Sequence, residues 1–170
     1  MTTCSVQIIA DEEIMGRCLN LSQAGEYAVA SLSRLALCFP RPVAVQDLAR
    51  AQGIPRPFLA KILGLCAKAG IVRSKTGPSG GMSLARDPGS ITLLSIVQAC
   101  EGDFERSLCV FYGERVCAGP ACRIYCPLRR TEENLRTDLG ATTLADMSRS
   151  LKDHPLNRQG GREWMQRQPA

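Results

Sequence analysis

Residues 56–86, RPFLAKILGLCAKAGIVRSKTGPSGGMSLAR, decide the fold that this sequence predicts. The first half has a helical period, with Pro57 suited to the first helical position and Gly70 suited to the end. The second half contains two short strands, 71–74 and 82–85, around a Gly/Pro turn, which is typical of a β-hairpin. The stretch therefore predicts a helix followed by a hairpin. The expected inward stripe of the helix is Phe58, Leu59, Ile62, Leu65 and Ala69.

Two further helices precede this stretch. Residues 21–39 carry apolar side chains on one face, with Ser22 as an N-cap and Pro40 beyond the end. Residues 43–54, VAVQDLARAQGI, form a short helix that Gly53 terminates. A short helix, a tight turn and a second helix make a helix-turn-helix, whose second helix enters the major groove of DNA. The hairpin then makes the unit a winged helix.

Basic and glycine residues lie where such a fold would meet DNA. Cations replace counterions condensed on the phosphates, and glycine lets the backbone approach them closely. The turn lacks the spacing of a nucleotide-binding loop. An ordinary surface hairpin without a role in DNA binding is the alternative interpretation. The expected DNA-binding residues are Arg56, Lys61, Lys68, Arg73, Lys75, Thr76, Gly77, Ser79 and Gly80.

Residues 109–126, CVFYGERVCAGPACRIYC, hold Cys109, Cys117, Cys122 and Cys126, four of the nine cysteines of the chain. The residues between them are not periodic, which predicts a loop shaped by what its sulfurs bind. Thiolates suit an iron–sulfur cluster or a soft metal such as zinc, although the CxxC pair of a zinc ribbon is absent. Two disulfides or free thiols are the alternatives, but clustered cysteines inside cells are more often ligands or redox groups.

The composition of the whole chain limits the class of protein to which it can belong. The 170 residues are 45% hydrophobic and 22% charged, which indicates a globular protein, and the net charge of +5 is compatible with nucleic acid. There is no apolar run of transmembrane length and no secretory signal, so we expect a cytoplasmic protein with reduced thiols. His154 is the one histidine. No catalytic set can be built from it, so no enzyme is expected.

We expect a mainly α fold with a small β-hairpin, in which a winged helix-turn-helix domain is joined to a C-terminal dimerisation helix. Leu128, Leu135 and Leu139 form a narrow apolar seam, which fits a core stripe or a dimer contact, and Gly140 should end that helix. Thr143 should cap a last helix. The expected parts are an irregular extension (1–18), the DNA-binding domain (19–90), the cysteine loop with dimerisation helices (91–152) and a mobile tail (153–170).

Three segments in this order resemble one known family. They are LSQAGEYAVASLSRLAL (21–37), TGPSGGMSLAR (76–86) and PACRIYCPL (120–128), and the resemblance spans roughly residues 19–152. The sequence is similar to the IscR/NsrR-type (Rrf-two) winged-helix transcriptional regulators. The resemblance implies a homodimer on a near-palindromic DNA operator, and a [2Fe-2S] or [4Fe-4S] cluster held by three loop cysteines. Cys122 matches the third of these, and Cys117 and Cys109 match the second and first by order.

The fourth ligand varies within the family and has two candidates here. Cys126 would make an all-thiolate site. Glu26 matches the acidic residue that some relatives provide from the first helix across the dimer. Thr76, after Lys75, stands where many relatives have an arginine, so a bidentate contact there is not expected.

The resemblance implies a regulator that senses redox state, nitric oxide or iron–sulfur status. The alternative is a zinc-stabilised or cluster-free thiol-switch repressor. A small redox carrier is disfavoured because ferredoxin-like CxxCxxC spacing is absent.

Overall fold

The computed structural model describes residues 21–77, 80–103 and 125–153, with the backbone alone at positions 125 and 126. The described part is helical apart from one antiparallel pair of strands, as predicted. None of the helices in these ranges is both long and apolar enough to span a membrane. In chain order the elements are α1 (Gln23–Cys38), α2 (Val45–Gln52), α3 (Arg56–Lys68), β1 (Val72–Lys75), β2 (Gly81–Leu84), a 3-10 helix (Pro88–Ser90), α4 (Leu93–Glu101), α5 (Tyr125–Ala141) and α6 (Leu144–Asp153).

The helix boundaries follow from capping residues. The Ser22 hydroxyl accepts a hydrogen bond from the Gly25 N–H at 3.3 Å, and this confirms the predicted N-cap of α1. Gly53 ends α2 in the left-handed conformation, with φ of 66°. The prediction for Pro57 was one position wrong, because α3 begins at Arg56 and Pro57 is its second residue.

The core forms around α1, which packs against α3, α4 and α6. Ala28, Leu32 and Leu35 of α1 are essentially inaccessible to solvent. Leu144, the first residue of α6, is equally buried and belongs to the same cluster. The helix that follows the cysteine loop and α5 therefore returns to the core of the DNA-binding part.

The inward face of α3 differs from the predicted stripe. Phe58 and Leu65 are 36% and 38% exposed, and Ala69 is exposed as well. The buried residues of α3 are Leu59, Ile62, Leu63 and Cys66. Their spacing of three, four and seven residues is that of one helix face, whereas the predicted stripe mixed two neighbouring faces. The Phe58 ring instead meets the Tyr27 ring edge to face, with centroids 5.9 Å apart.

The predicted hairpin is present, with each strand shifted by one residue. Arg73 pairs with Ser83 and Lys75 with Gly81. Val43, in the connection between α1 and α2, forms a bridge to Met82 through two backbone hydrogen bonds of 2.8 Å. This bridge fixes the hairpin to the helix-turn-helix.

α5 corrects two expectations about the second half of the chain. The helix begins at Tyr125, so the last two residues of the predicted cysteine loop, Tyr125 and Cys126, are helical. Gly140 lies inside α5 and does not end it. The backbone hydrogen bond from Thr142 N–H to the Asp138 carbonyl, at 3.2 Å, still spans this glycine. Thr143 caps α6 as predicted, because its hydroxyl accepts from the Asp146 N–H at 3.2 Å.

Candidate DNA-binding surface and cysteine site

The basic residues predicted on the recognition helix lie at its exposed face. α3 starts directly after the turn at Gly53, and Arg56 is its first residue. Lys61 and Lys68 are seven residues apart, which is two helical turns, so they project on the same side. Both are exposed, and they lie about opposite the buried Cys66 on the helix circumference.

The hairpin provides the second part of the surface. Arg73 and Lys75 on β1 are exposed, and the Arg73 Nε donates to the Ser83 hydroxyl at 3.3 Å. Thr76 and Gly77 follow at the exposed tip, where Gly77 has a φ of +113° that favours glycine. Ser79, also predicted to contact DNA, lies outside the described residues.

Gly80 and Gly81 are required by close backbone contacts. A Cβ added to Gly80 would lie 2.5 Å from the Lys75 carbonyl oxygen. A Cβ added to Gly81 would lie 2.4 Å from the Val43 carbonyl oxygen. The two glycines therefore allow the tip to close and allow β2 to pack against the connection before α2.

The electrostatics of this surface favour an anionic partner. In the ranges that the structure describes, no salt bridge involves the cations of α3 or β1, namely Arg56, Lys61, Lys68, Arg73 and Lys75. No carboxylate of the described residues therefore neutralises their charges. The helix and hairpin together form a surface that could bind phosphates along a DNA groove.

The cysteine site is only partly visible. Cys109, Cys117 and Cys122 lie outside the described residues, and of Cys126 only the backbone is described, in the first turn of α5. Within 21–77, 80–103 and 125–153, no three His, Cys, Asp or Glu side chains are grouped closely enough to hold a metal ion.

Three contacts connect the elements that flank the cysteine segment. Asp103, the last described residue before it, forms a salt bridge with Arg136 of α5 and accepts a hydrogen bond from Gln98 of α4 at 3.3 Å. Glu101, at the end of α4, accepts from the Ser22 N–H at 2.8 Å. The start of α1, the end of α4 and the middle of α5 are thus linked.

Glu26, the other candidate ligand, is exposed in the first turn of α1, next to the Glu101 contact. It forms no salt bridge with any described residue. Glu101, Asp103 and Arg136 were not predicted from the sequence because their partners are distant along the chain, 79 residues away for Ser22–Glu101. No local pattern marks such pairs.

Comparisons with known proteins agree with this architecture. The model of the Rrf2 family, described as "Iron-dependent Transcriptional regulator", matches residues 21–150. The HTH-type transcriptional regulator IscR of Klebsiella pneumoniae is 30% identical over 131 residues, which are 76% of this chain and 79% of that protein.

Solved structures of regulators share the fold. IscR of T. potens superposes with a TM-score of 0.61 at 29% identity, over 81% of this chain and 89% of that one. CymR, the global cysteine regulator of B. subtilis, superposes with a TM-score of 0.64 at 23% identity, over 75% and 94%. These relatives are transcriptional regulators and not enzymes. With most of its length matched by the family model, the chain belongs to the Rrf2 family of helix-turn-helix transcriptional regulators.

Proposed function

We propose that this regulator is a cytoplasmic homodimer that binds a near-palindromic DNA operator and senses redox state, nitric oxide or iron–sulfur status through a cysteine-ligated iron–sulfur cluster. The observation that supports DNA binding is the set of exposed cations on α3 and β1, which form no salt bridge with any described residue, around a glycine-rich tip. Membership of the Rrf2 family supports DNA binding in general, and we propose which residues contact the DNA. They are Arg56, Lys61, Lys68, Arg73, Lys75, Thr76, Gly77, Ser79 and Gly80.

The proposed ligands are Cys109, Cys117 and Cys122, with Cys126 as the fourth. The donor chemistry fits such a cluster, because thiolates are the usual ligands of both common cluster types. When bound, the cluster supplies a centre that changes oxidation state or is lost on reaction with oxidants or nitric oxide.

The contacts around the loop suggest how such a change reaches DNA. The Asp103–Arg136 salt bridge connects the residues that precede the cysteine segment to α5, and the Glu101 contact connects the end of α4 to the N-cap of α1. α1 in turn packs against α3. A rearrangement of the loop would therefore act on elements that support the recognition helix, which is the coupling that any sensed signal requires. Glu26 remains the alternative fourth ligand on the same first turn.

The first test is anaerobic purification followed by a visible absorption spectrum and analysis for iron, sulfide and zinc. We expect a coloured protein with matched iron and sulfide, and loss of that colour in Cys122→Ala. Cys4→Ala removes a sulfur outside the proposed set and serves as the control. Retention of the wild-type spectrum in Cys122→Ala would refute the ligand assignment. A colourless protein with zinc would indicate a structural zinc site, and a metal-free one a thiol switch.

The fourth ligand is tested by two further variants. We expect Cys126→Ala to shift or abolish the spectrum, whereas Glu26→Gln leaves it unchanged. The opposite result would assign Glu26 as the ligand and exclude an all-thiolate site.

A further inference from the structure

The exposed side chains of the recognition helix α3 include no hydrogen-bond acceptor. All thirteen residues of α3 are described, and its exposed polar side chains are Arg56, Lys61 and Lys68. Arginine and lysine donate hydrogen bonds and cannot accept them. Cys66, which has the remaining polar side-chain atom, is completely buried. Because the backbone carbonyls inside the helix accept from its own N–H groups, the exposed side of α3 can donate hydrogen bonds to a partner but has no side chain that accepts one.

Gly64 lies in the middle of this exposed side, between the two lysines. Its neighbours three and four residues away along the helix are all exposed, and they are Ala60, Lys61, Ala67 and Lys68. No atom lies within 4 Å of a Cβ added to Gly64. The surface between the lysines is therefore open enough for the edge of a base pair to approach the helix closely, and the methyl groups of Ala60 and Ala67 lie beside it.

The major groove of DNA presents different chemical groups to such a helix. Adenine and cytosine each present an amino group, which is a hydrogen-bond donor, and guanine presents two acceptors, O6 and N7. Thymine presents an acceptor and a methyl group. A helix without an accepting side chain cannot form hydrogen bonds with the amino groups. It can donate to guanine, and its alanine side chains can contact the thymine methyl group.

We propose that α3 selects its operator through guanine acceptors and thymine methyl groups, and does not read the amino groups of adenine and cytosine. Arg56 is the guanine-reading residue, because N-terminal residues of a recognition helix contact base edges and a guanidinium can donate to O6 and N7 together. Lys61 and Lys68, whose ammonium groups are point charges, are assigned to phosphates. This assignment rests on the proposed function, since α3 must enter the major groove, and it adds the class of base that α3 selects.

The test begins with duplexes that the full-length, anaerobically purified protein selects from a random-sequence pool. Bases of a selected duplex are replaced one at a time, and affinity is measured by fluorescence anisotropy. 7-Deazaguanine removes the N7 acceptor and uracil removes the thymine methyl group, whereas purine for adenine and 2-pyrimidinone for cytosine remove the amino groups. We expect a loss of about fivefold at a guanine and about threefold at a thymine, but no loss for the amino groups beside them.

Arg56→Ala identifies the bases that lie below α3. The guanine that Arg56 reads should lose its sensitivity to 7-deazaguanine in Arg56→Ala and keep it in Arg130→Ala, which removes an exposed arginine from α5. A loss of about fivefold or more on removing an amino group from an adjoining base pair would overturn the proposal. Unchanged sensitivity in Arg56→Ala would overturn it as well. Failure to enrich any sequence would contradict the proposed function itself, and the base preference with it.

Ala60→Asn supplies the missing acceptor on the same side of α3. Asparagine forms two hydrogen bonds with adenine, so the selected duplexes should gain an adenine whose amino group contributes to binding. Ala141→Asn, at the exposed end of α5, is the matched control and should retain the wild-type preference. Selection of identical sequences by the wild type and Ala60→Asn would show that Ala60 does not face the bases and would overturn the proposal.

Discussion

At the scale of single residues, Lys61 is the clearest test of the proposed DNA-binding surface. It is exposed on α3, in line with Lys68, and no described carboxylate forms a salt bridge with it. If Lys61 contacts one phosphate, Lys61→Ala should weaken binding to all DNA sequences similarly. It should also reduce the slope of log affinity against log salt by about 1. Fluorescence anisotropy at several salt concentrations measures this slope.

Lys152, exposed near the end of α6, provides the control for that measurement. Lys152→Ala removes the same charge from another helix and should leave the slope unchanged. Equal salt slopes for wild type and Lys61→Ala would show that Lys61 does not contact a DNA phosphate.

At the scale of the elements, the sequence predicted three helix ends correctly, whereas it did not predict the end at Gly140 or the buried face of α3. Ser22, Gly53 and Thr143 mark helix ends through local capping chemistry, which a sequence displays directly. The inward face of α3 was not determined in the same way, because Phe58 and Leu65 are as apolar as the residues that are buried. The choice between the two stripes depends on α1 and α4, which pack against α3 only in the folded chain.

Two glycines provide a matched prediction about element stability. Gly81→Ala would place a methyl group against the Val43 carbonyl and disturb the bridge to Met82, so we expect a loss of about 2 kcal/mol in the free energy of unfolding. Gly64, in the middle of α3, has no atom within 4 Å of an added Cβ. Gly64→Ala should instead stabilise the protein by about 0.5–1 kcal/mol, because glycine costs conformational entropy in a helix. Thermal unfolding measures the stability of both variants. Destabilisation of the same size in Gly81→Ala and Gly64→Ala would show that the close approach of Gly81 to the Val43 carbonyl does not determine the effect.

At the scale of the whole molecule, a single core connects the two ends of the described chain. α6 packs on α1 and contributes Leu144, while Asp103 and Arg136 join α4 to α5. The sequence predicted the order of the parts but not these connections, because each joins residues from distant positions. They support a view in which the cysteine segment and the recognition helix are coupled through α1 and α4.

The seam on α5 argues for the proposed homodimer. Leu128, Leu135 and Leu139 share one face, but Leu139 is 5% exposed whereas Leu128 is 43% exposed. The stripe is thus covered at its C-terminal end and open at its N-terminal end. In a two-fold symmetric contact, each substituted residue counts twice. Burial of one leucine contributes about 1.5–3 kcal/mol, so Leu128→Arg should weaken dimerisation by at least about a hundredfold.

Sedimentation equilibrium of Leu128→Arg measures this effect against Thr137→Arg, which adds the same charge at an exposed position on the opposite side of α5. We expect the first variant to sediment as a monomer and the second as the wild-type dimer. The two variants should also separate in DNA binding, since a monomer contacts one half of a palindromic operator and loses most of its affinity. Dimers of equal strength in both variants would show that the Leu128 end of the seam lies outside the subunit contact.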